Sequence, residues 1–176
     1  MIKTALKKEI FVTVALITLI LVSRLSSHVW NFTAVGGAAL FAGAYFQRKY
    51  LAVLVPLMGL IMSDFIIGMH TYMTSVYLSF ALVVALGASL EIGGSRIRIF
   101  LTSLAGATLF FLVTNFDCWL GNSFYTQDFA GLMNSYYLGL PFFKTQLISD
   151  ISVSFVLFEA SRHYSKVKNQ IALANQ

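Results

Sequence analysis

Two of the seven acidic residues lie inside long apolar runs, where a charge is costly. Asp64 is the one formal charge in the stretch 50–68 (YLAVLVPLMGLIMSDFIIG), which as a helix is roughly 28 Å long, about the thickness of a bilayer's hydrocarbon core. An ionisable side chain within a membrane helix costs on the order of 2.5–3.5 kcal/mol on insertion scales, so it needs a partner, a proton or water. We expect Asp64 to face a polar cavity between helices; the alternative is a protonated or capped acid that only joins two helices. Asp150 is the second. With Gln146 and Ser154 it forms a polar stripe at i, i+4, i+8 on an apolar helix, and it lies near mid-membrane. Glu159 differs, because Arg162 and His163 follow it at the spacing of a local ion pair.

These acids must be positioned by membrane-spanning elements. The chain is 58% hydrophobic and 11% charged, against about 25% charged in soluble domains. Its 176 residues suffice for one compact bundle. Six apolar segments are predicted as transmembrane helices, at 9–25, 33–46, 50–68, 73–90, 97–114 and 141–161. The expected fold is therefore all-α, a single integral membrane domain over 1–164 with a polar tail at 165–176. The basic start and apolar run of the first segment resemble a signal peptide, but Arg24-Leu-Ser-Ser-His28 follows instead of a small-residue cleavage site. We read it as a retained helix.

The basic residues orient the bundle. If the helices alternate, Lys3, Lys7, Lys8, Arg48, Lys49, Arg96, Arg98, Arg162, Lys166 and Lys168 all fall on one side, and only Arg24 and Lys144 on the other. By the positive-inside rule both termini are cytoplasmic. The same placement between apolar runs excludes nucleic acid as the reason for the net charge of +5. The outer side then carries a long segment, 115–140. Phe129, Leu132, Met133, Tyr136 and Leu140 recur there at helical spacing, which predicts an amphipathic helix lying at the membrane surface. In the second segment Ala34, Ala38 and Ala42, flanked by Gly36, Gly37 and Gly43, mark a close-contact face, best explained by packing within the bundle.

Several polar groups far apart in sequence should converge near the outer leaflet. Trp30 and Asn31 precede the second helix, His70 and Tyr72 follow the third, Asn115 and Asp117 close the fifth, and Lys144 enters the sixth. With Asp64, Asp150, Trp119 and Tyr137 they make a candidate small-molecule site, since polar groups converging in an apolar bundle describe a pocket. Trp119, Tyr125, Tyr136 and Tyr137 have a simpler explanation too, because Trp and Tyr favour membrane interfaces by solvation alone. His70 can equally face water, and Lys144 can snorkel to the interface. There is no HExxH, GxSxG or phosphate-cradling loop, so no catalytic centre, cofactor or metal site is predicted. One cysteine, Cys118, excludes a disulfide framework, and it is read as a small hydrophobe.

The stretches WNFTAVGGAALFAGAYF, VPLMGLIMSDFIIGMHTY, FFLVTNFDCWLG and AGLMNSYYLGLPFFKTQLISD resemble an uncharacterised family of six-helix bacterial membrane proteins. That family looks like the substrate-binding (S) components of energy-coupling factor (ECF) vitamin transporters. The resemblance implies capture of a vitamin or related small molecule from outside. Trp30 and Asn31 would lie in a gating turn, and Asp64, His70, Asn115 and Asp117 at the pocket rim. It also implies a transmembrane scaffold subunit and paired ATPases as partners. The chain departs from S components in two places. Its first helix lacks an AxxxA contact face, and it begins Met1-Ile2-Lys3 rather than Met-His, which argues against a free metal ion as substrate. The function expected is binding and uptake of a small organic nutrient. The alternatives are a structural or assembly protein with no ligand, and a membrane enzyme acting on a lipid.

Overall fold

The computed structural model describes residues 2–26 and 31–174, and these form six helices. They are α1 (Ile2–Ser26), α2 (Val35–Tyr45), α3 (Lys49–Ile67), α4 (Met73–Gly87), α5 (Arg96–Gly121) and α6 (Phe129–Ala174). Four of them, α1, α3, α5 and α6, are long and apolar enough to cross a membrane. The other two fall short of the expectation for six full spans. The 11 residues of α2 make only about 16 Å of helix, and the 15 of α4 about 22 Å.

The short α2 is the centre of the bundle. Every residue from Val35 to Gly43 is buried. α3, α4, α5 and α6 pack around it, α1 leans mainly on α3, and among the described residues the backbones of α1 and α6 stay apart. The small residues of α2 serve this arrangement, as their spacing predicts. A side chain at Gly43 would strike the Val84 carbonyl of α4, and one at Gly87 would strike the Leu40 carbonyl of α2, so the two backbones touch reciprocally. On another face of α2, a side chain at Gly37 would come within 2.7 Å of Val153 on α6. Leu40, Val84, Ile99 and Phe158 fill the surrounding core. The outward faces stay apolar. Phe11, Phe65, Ile66 and Val156 are each more than half exposed, as side chains meeting lipid should be.

The outer segment differs from expectation. α5 runs to Gly121, and the predicted surface helix is the first part of α6, continuous through Pro141. The cause is a ridge of small residues, Gly131, Ser135 and Gly139, which lies on the opposite face from most of the apolar stripe. Ser135 Oγ donates to the Asn115 carbonyl at 3.2 Å, Gly139 abuts the Asn115 side chain, and Tyr136 Oη donates to the Leu112 carbonyl at 3.1 Å. The segment therefore runs antiparallel against α5, and Phe129, Met133 and Leu140 face outward. The expected polar tail likewise continues α6 as far as Ala174.

Charges sort to the two ends of the bundle. At the basic end Arg96 makes a two-pronged pair with Glu159 (2.8 and 3.0 Å), Arg162 lies 3.3 Å from the same carboxylate, and Arg48 lies 3.9 Å from Glu9. The packing of α2 on α4 leads to a direct test. Gly87→Val should destabilise the protein by about 1–3 kcal/mol or more, because the added atoms meet backbone that has nowhere to move. Gly106→Ala, whose new methyl would sit 3.5 Å from Val83, should be close to neutral. Thermal unfolding in detergent micelles, compared across the two variants, measures this difference.

Candidate functional site

At the end opposite the basic cluster, the helices enclose a half-open cavity of about 660 Å³. All six elements contribute to it. Arg24 comes from the end of α1, Asn31 and Thr33 from the segment before α2, and His70 and Tyr72 from the turn between α3 and α4. Thr114 is on α5, and Gln146 and Asp150 are on α6. Val35, Ile67, Val76, Phe80 and Phe110 supply apolar walls. The volume falls within the range of small-molecule sites.

The floor of the cavity is built around the start of α2, which lies inside the bundle. A helix leaves its first amides without intrahelical partners, and buried amides need acceptors. No side chain of α2's own cap supplies one. Neighbouring helices meet this end of α2 instead. Ser23 Oγ on α1 accepts from the Ala34 amide at 3.0 Å, and the Asp150 carboxyl group on α6 lies against Gly36 in the first turn of α2. Ser149 Oγ donates to the Thr33 carbonyl just upstream. Gly36 has to be glycine, because any side chain there would occupy the space of the Asp150 carboxyl group. Gln146 Nε2, one turn earlier on α6, approaches Asp150 Oδ2 at 3.4 Å. Asp150 is only 4% exposed, and no basic residue forms an ion pair with it among the described residues. A carboxylate at a helix N-terminus is also favoured by the helix dipole.

Asp64 is held differently. It is 1% exposed and paired with the Arg24 guanidinium of α1, while Tyr77 Oη of α4 donates to its second oxygen at 2.7 Å. The expectation that Asp64 itself faces the cavity needs correction. Arg24 lines the cavity, and Asp64 sits behind it, joining α1, α3 and α4. The physical reason is that a carboxylate buried among helices carries a large penalty unless it is paired, and the Arg24 guanidinium and Tyr77 hydroxyl are the partners within reach. Arg24 was one of two basic residues expected at this end, so the pair was readable once topology placed both groups there. One Arg24 atom, Nε, is buried without a hydrogen-bond partner.

Of the residues expected to converge, Asn31, His70, Tyr72 and Asp150 line the cavity. Trp30 lies outside the described residues. Asn115 turns its amide onto the Phe111 carbonyl at 2.8 Å, at the contact between α5 and α6. Trp119 ties down the loop after α5, donating to the Thr126 carbonyl at 2.9 Å, while Gln127 donates to the Trp119 carbonyl. Asp117 is on α5, and it is not among the residues that line the cavity. Tyr137 and Lys144 are exposed on α6. Asp128 caps the start of α6. Its carboxylate accepts from the Gly131 amide at 2.7 Å and from Thr126 at 2.8 Å, which holds its pKa below the usual carboxylate value. Sequence reasoning did not assign Arg24, Thr33, Thr114 or Gln146 to the site. Gln146 carried a signal in its stripe with Asp150, whereas Thr33 and Thr114 carried none.

The ion pair leads to graded expectations. Arg24→Ala should cost about 3–5 kcal/mol by leaving a lone buried carboxylate, and Tyr77→Phe about 1.5–3 kcal/mol. The double variant Arg24→Leu/Asp64→Leu should recover most of the loss, since an apolar pair of similar volume removes the desolvation cost. Unfolding midpoints in one detergent test the series. If the double variant is as unstable as Arg24→Ala, the pair has some role beyond mutual neutralisation.

No curated protein and no solved structure matches the chain. A family of unknown function, DUF6580, matches it over residues 4–171, nearly its full length. Nothing in that match names a substrate or connects it with ECF S components. The chain belongs to this family, DUF6580.

Proposed function

We propose that the protein binds a small organic nutrient, vitamin-like in size, in the cavity at the Arg24 end, and serves in its uptake across the inner membrane of a bacterium. The reading resembles that of an S component. A scaffold subunit and ATPases would drive the transport, with both termini in the cytoplasm. The observation that carries it is a half-enclosed cavity of about 660 Å³ to which every helix or its flanking turn contributes, with Asp150 and Gln146 at its floor. The sorting of basic residues to the opposite end supports the orientation. Because Asp64 already balances Arg24, Asp150 leaves the floor with a hydrogen-bond acceptor and no countercharge. A ligand carrying a donor, such as an amine or amide N–H, suits that floor.

One observation favours a second reading, an assembly protein without a ligand. Both buried acids have internal structural work, Asp64 in an ion pair and Asp150 packed against the first turn of α2 beside Gln146. The two readings separate at a residue that belongs to neither network. Thr114 lines the cavity, and its hydroxyl bonds only the Phe110 carbonyl of its own helix, at 2.8 Å. Thr114→Trp should fill the cavity while leaving both acids satisfied. On the uptake reading, native mass spectrometry of the protein released from membranes shows a small-molecule adduct on wild type. The adduct falls at least about tenfold in Thr114→Trp, at unchanged unfolding temperature, because the pocket's shape sets the affinity. A wild-type protein that carries no adduct after growth in rich medium, or a variant that keeps it in full, would overturn the proposal.

A further inference from the structure

The basic end of the molecule carries a second concavity, unconnected with the cavity at the Arg24 end. It exists because the ring of helices around α2 is not closed. α1 and α6 stand apart, and the space between them is a groove of about 1060 Å³ with α2 as its floor. Its walls are apolar, with Phe11 and Leu16 on α1, Phe41 on α2 and Leu157 on α6. Its rim is cationic. Lys7, Lys8 and Lys168 line it, and no acidic residue does. Glu9, the acid next to Lys8, is directed to Arg48 at 3.9 Å. The Lys8 ammonium lies 5.6 Å from the Tyr45 ring centre and 5.0 Å from that of Tyr164, so it bridges the mouth of the groove from α1 to α6.

An apolar trough ending in three ammonium groups is complementary to one kind of occupant, an amphiphile with an anionic head. A partner helix packed by apolar contact would leave the lysines unused, and a zwitterionic lipid would bring a cation against them. We propose that the groove between α1 and α6 seats one anionic phospholipid. Its acyl chains lie along Phe11, Ala15 and Leu157, over the nearly covered Leu16 and Phe41, and its phosphate lies among Lys7, Lys8 and Lys168. Basic pockets between membrane helices hold anionic headgroups by this combination of charge and apolar depth. The bound lipid fills the gap that α1 and α6 leave between them, over the Phe41 and Tyr45 side of α2.

Native mass spectrometry of the whole chain, exchanged into micelles containing equal phosphatidylglycerol and phosphatidylcholine, tests this. Wild type should retain one phosphatidylglycerol in preference to phosphatidylcholine by at least about tenfold. The triple variant Lys7→Ala/Lys8→Ala/Lys168→Ala should lose the preference, and the corresponding triple arginine variant should keep it. Ala15→Trp, which fills the trough with all three lysines in place, should lose the bound lipid; Ala15 lines the groove. If Ala15→Trp retains it, surface charge alone attracts lipid and the seat does not exist. Equal retention of the two lipids by wild type would also overturn the proposal. So would displacement of the lipid by free inorganic phosphate, or a dimer that holds none.

Discussion

The constraint on which the bundle depends is that its central helix begins indoors. α2 is short, buried from its first residue, and presents its N-terminal amides to the interior of the protein, at the floor of the cavity. Without acceptors those amides would each carry a desolvation penalty. Two other helices meet that end of α2: Ser23 of α1 accepts from the Ala34 amide, and the Asp150 carboxyl group of α6 lies against Gly36, where the helix dipole favours a negative charge. This ties together elements more than a hundred positions apart in sequence. It also explains a pair of residues that would be odd in isolation: an acid in the middle of an apolar span, and a glycine at the second position of a helix.

The same arrangement produces the cavity. A helix that starts partway through the bundle leaves unfilled space above its N-terminus, and that space is bounded by whatever lies on the surrounding helices at that depth. On one wall this is Arg24, held in place by Asp64 and Tyr77. On the floor it is Asp150 with Gln146. The two acids thus do different jobs. Asp64 neutralises a cation and fixes three helices together, while Asp150 lies against the first turn of α2 and keeps its carboxyl group at the cavity's edge. At the other end of the molecule the helix ring stays open between α1 and α6, and there lysines, not acids, set the character of the space.

Much of this was legible in the sequence. Apolar runs broken by basic clusters implied the helices and sorted their ends, because both follow from solvation in a bilayer. The small-residue face of α2 implied close packing, and the structure places it against α4 and α6. The boundary of α6 escapes the sequence because the apolar stripe from Phe129 to Leu140 suits a helix lying at the membrane surface as well as one that packs along α5 with that stripe toward lipid. In lipid the apolar face points outward, and the informative signal was the small ridge Gly131, Ser135 and Gly139. Asp64 was rightly singled out as needing a partner, but the partner is a cation forty positions earlier. Periodicity within one segment does not reveal a contact between segments. Asp150 was legible as a buried acid but not as a neighbour of Gly36, since that glycine belongs to another helix.

The functional account stands on an aqueous hollow that enters the bundle from the Arg24 end. Cysteine accessibility tests this most directly. In a Cys118→Ser background, Thr114→Cys and His70→Cys can each be exposed to a small, charged, membrane-impermeant thiol reagent in intact membranes. The account predicts that both react, His70→Cys at the mouth and Thr114→Cys within the cavity, while Phe65→Cys on the lipid face of α3 does not. Reaction at position 70 with none at position 114 would mean that no water reaches between the helices, contradicting the account.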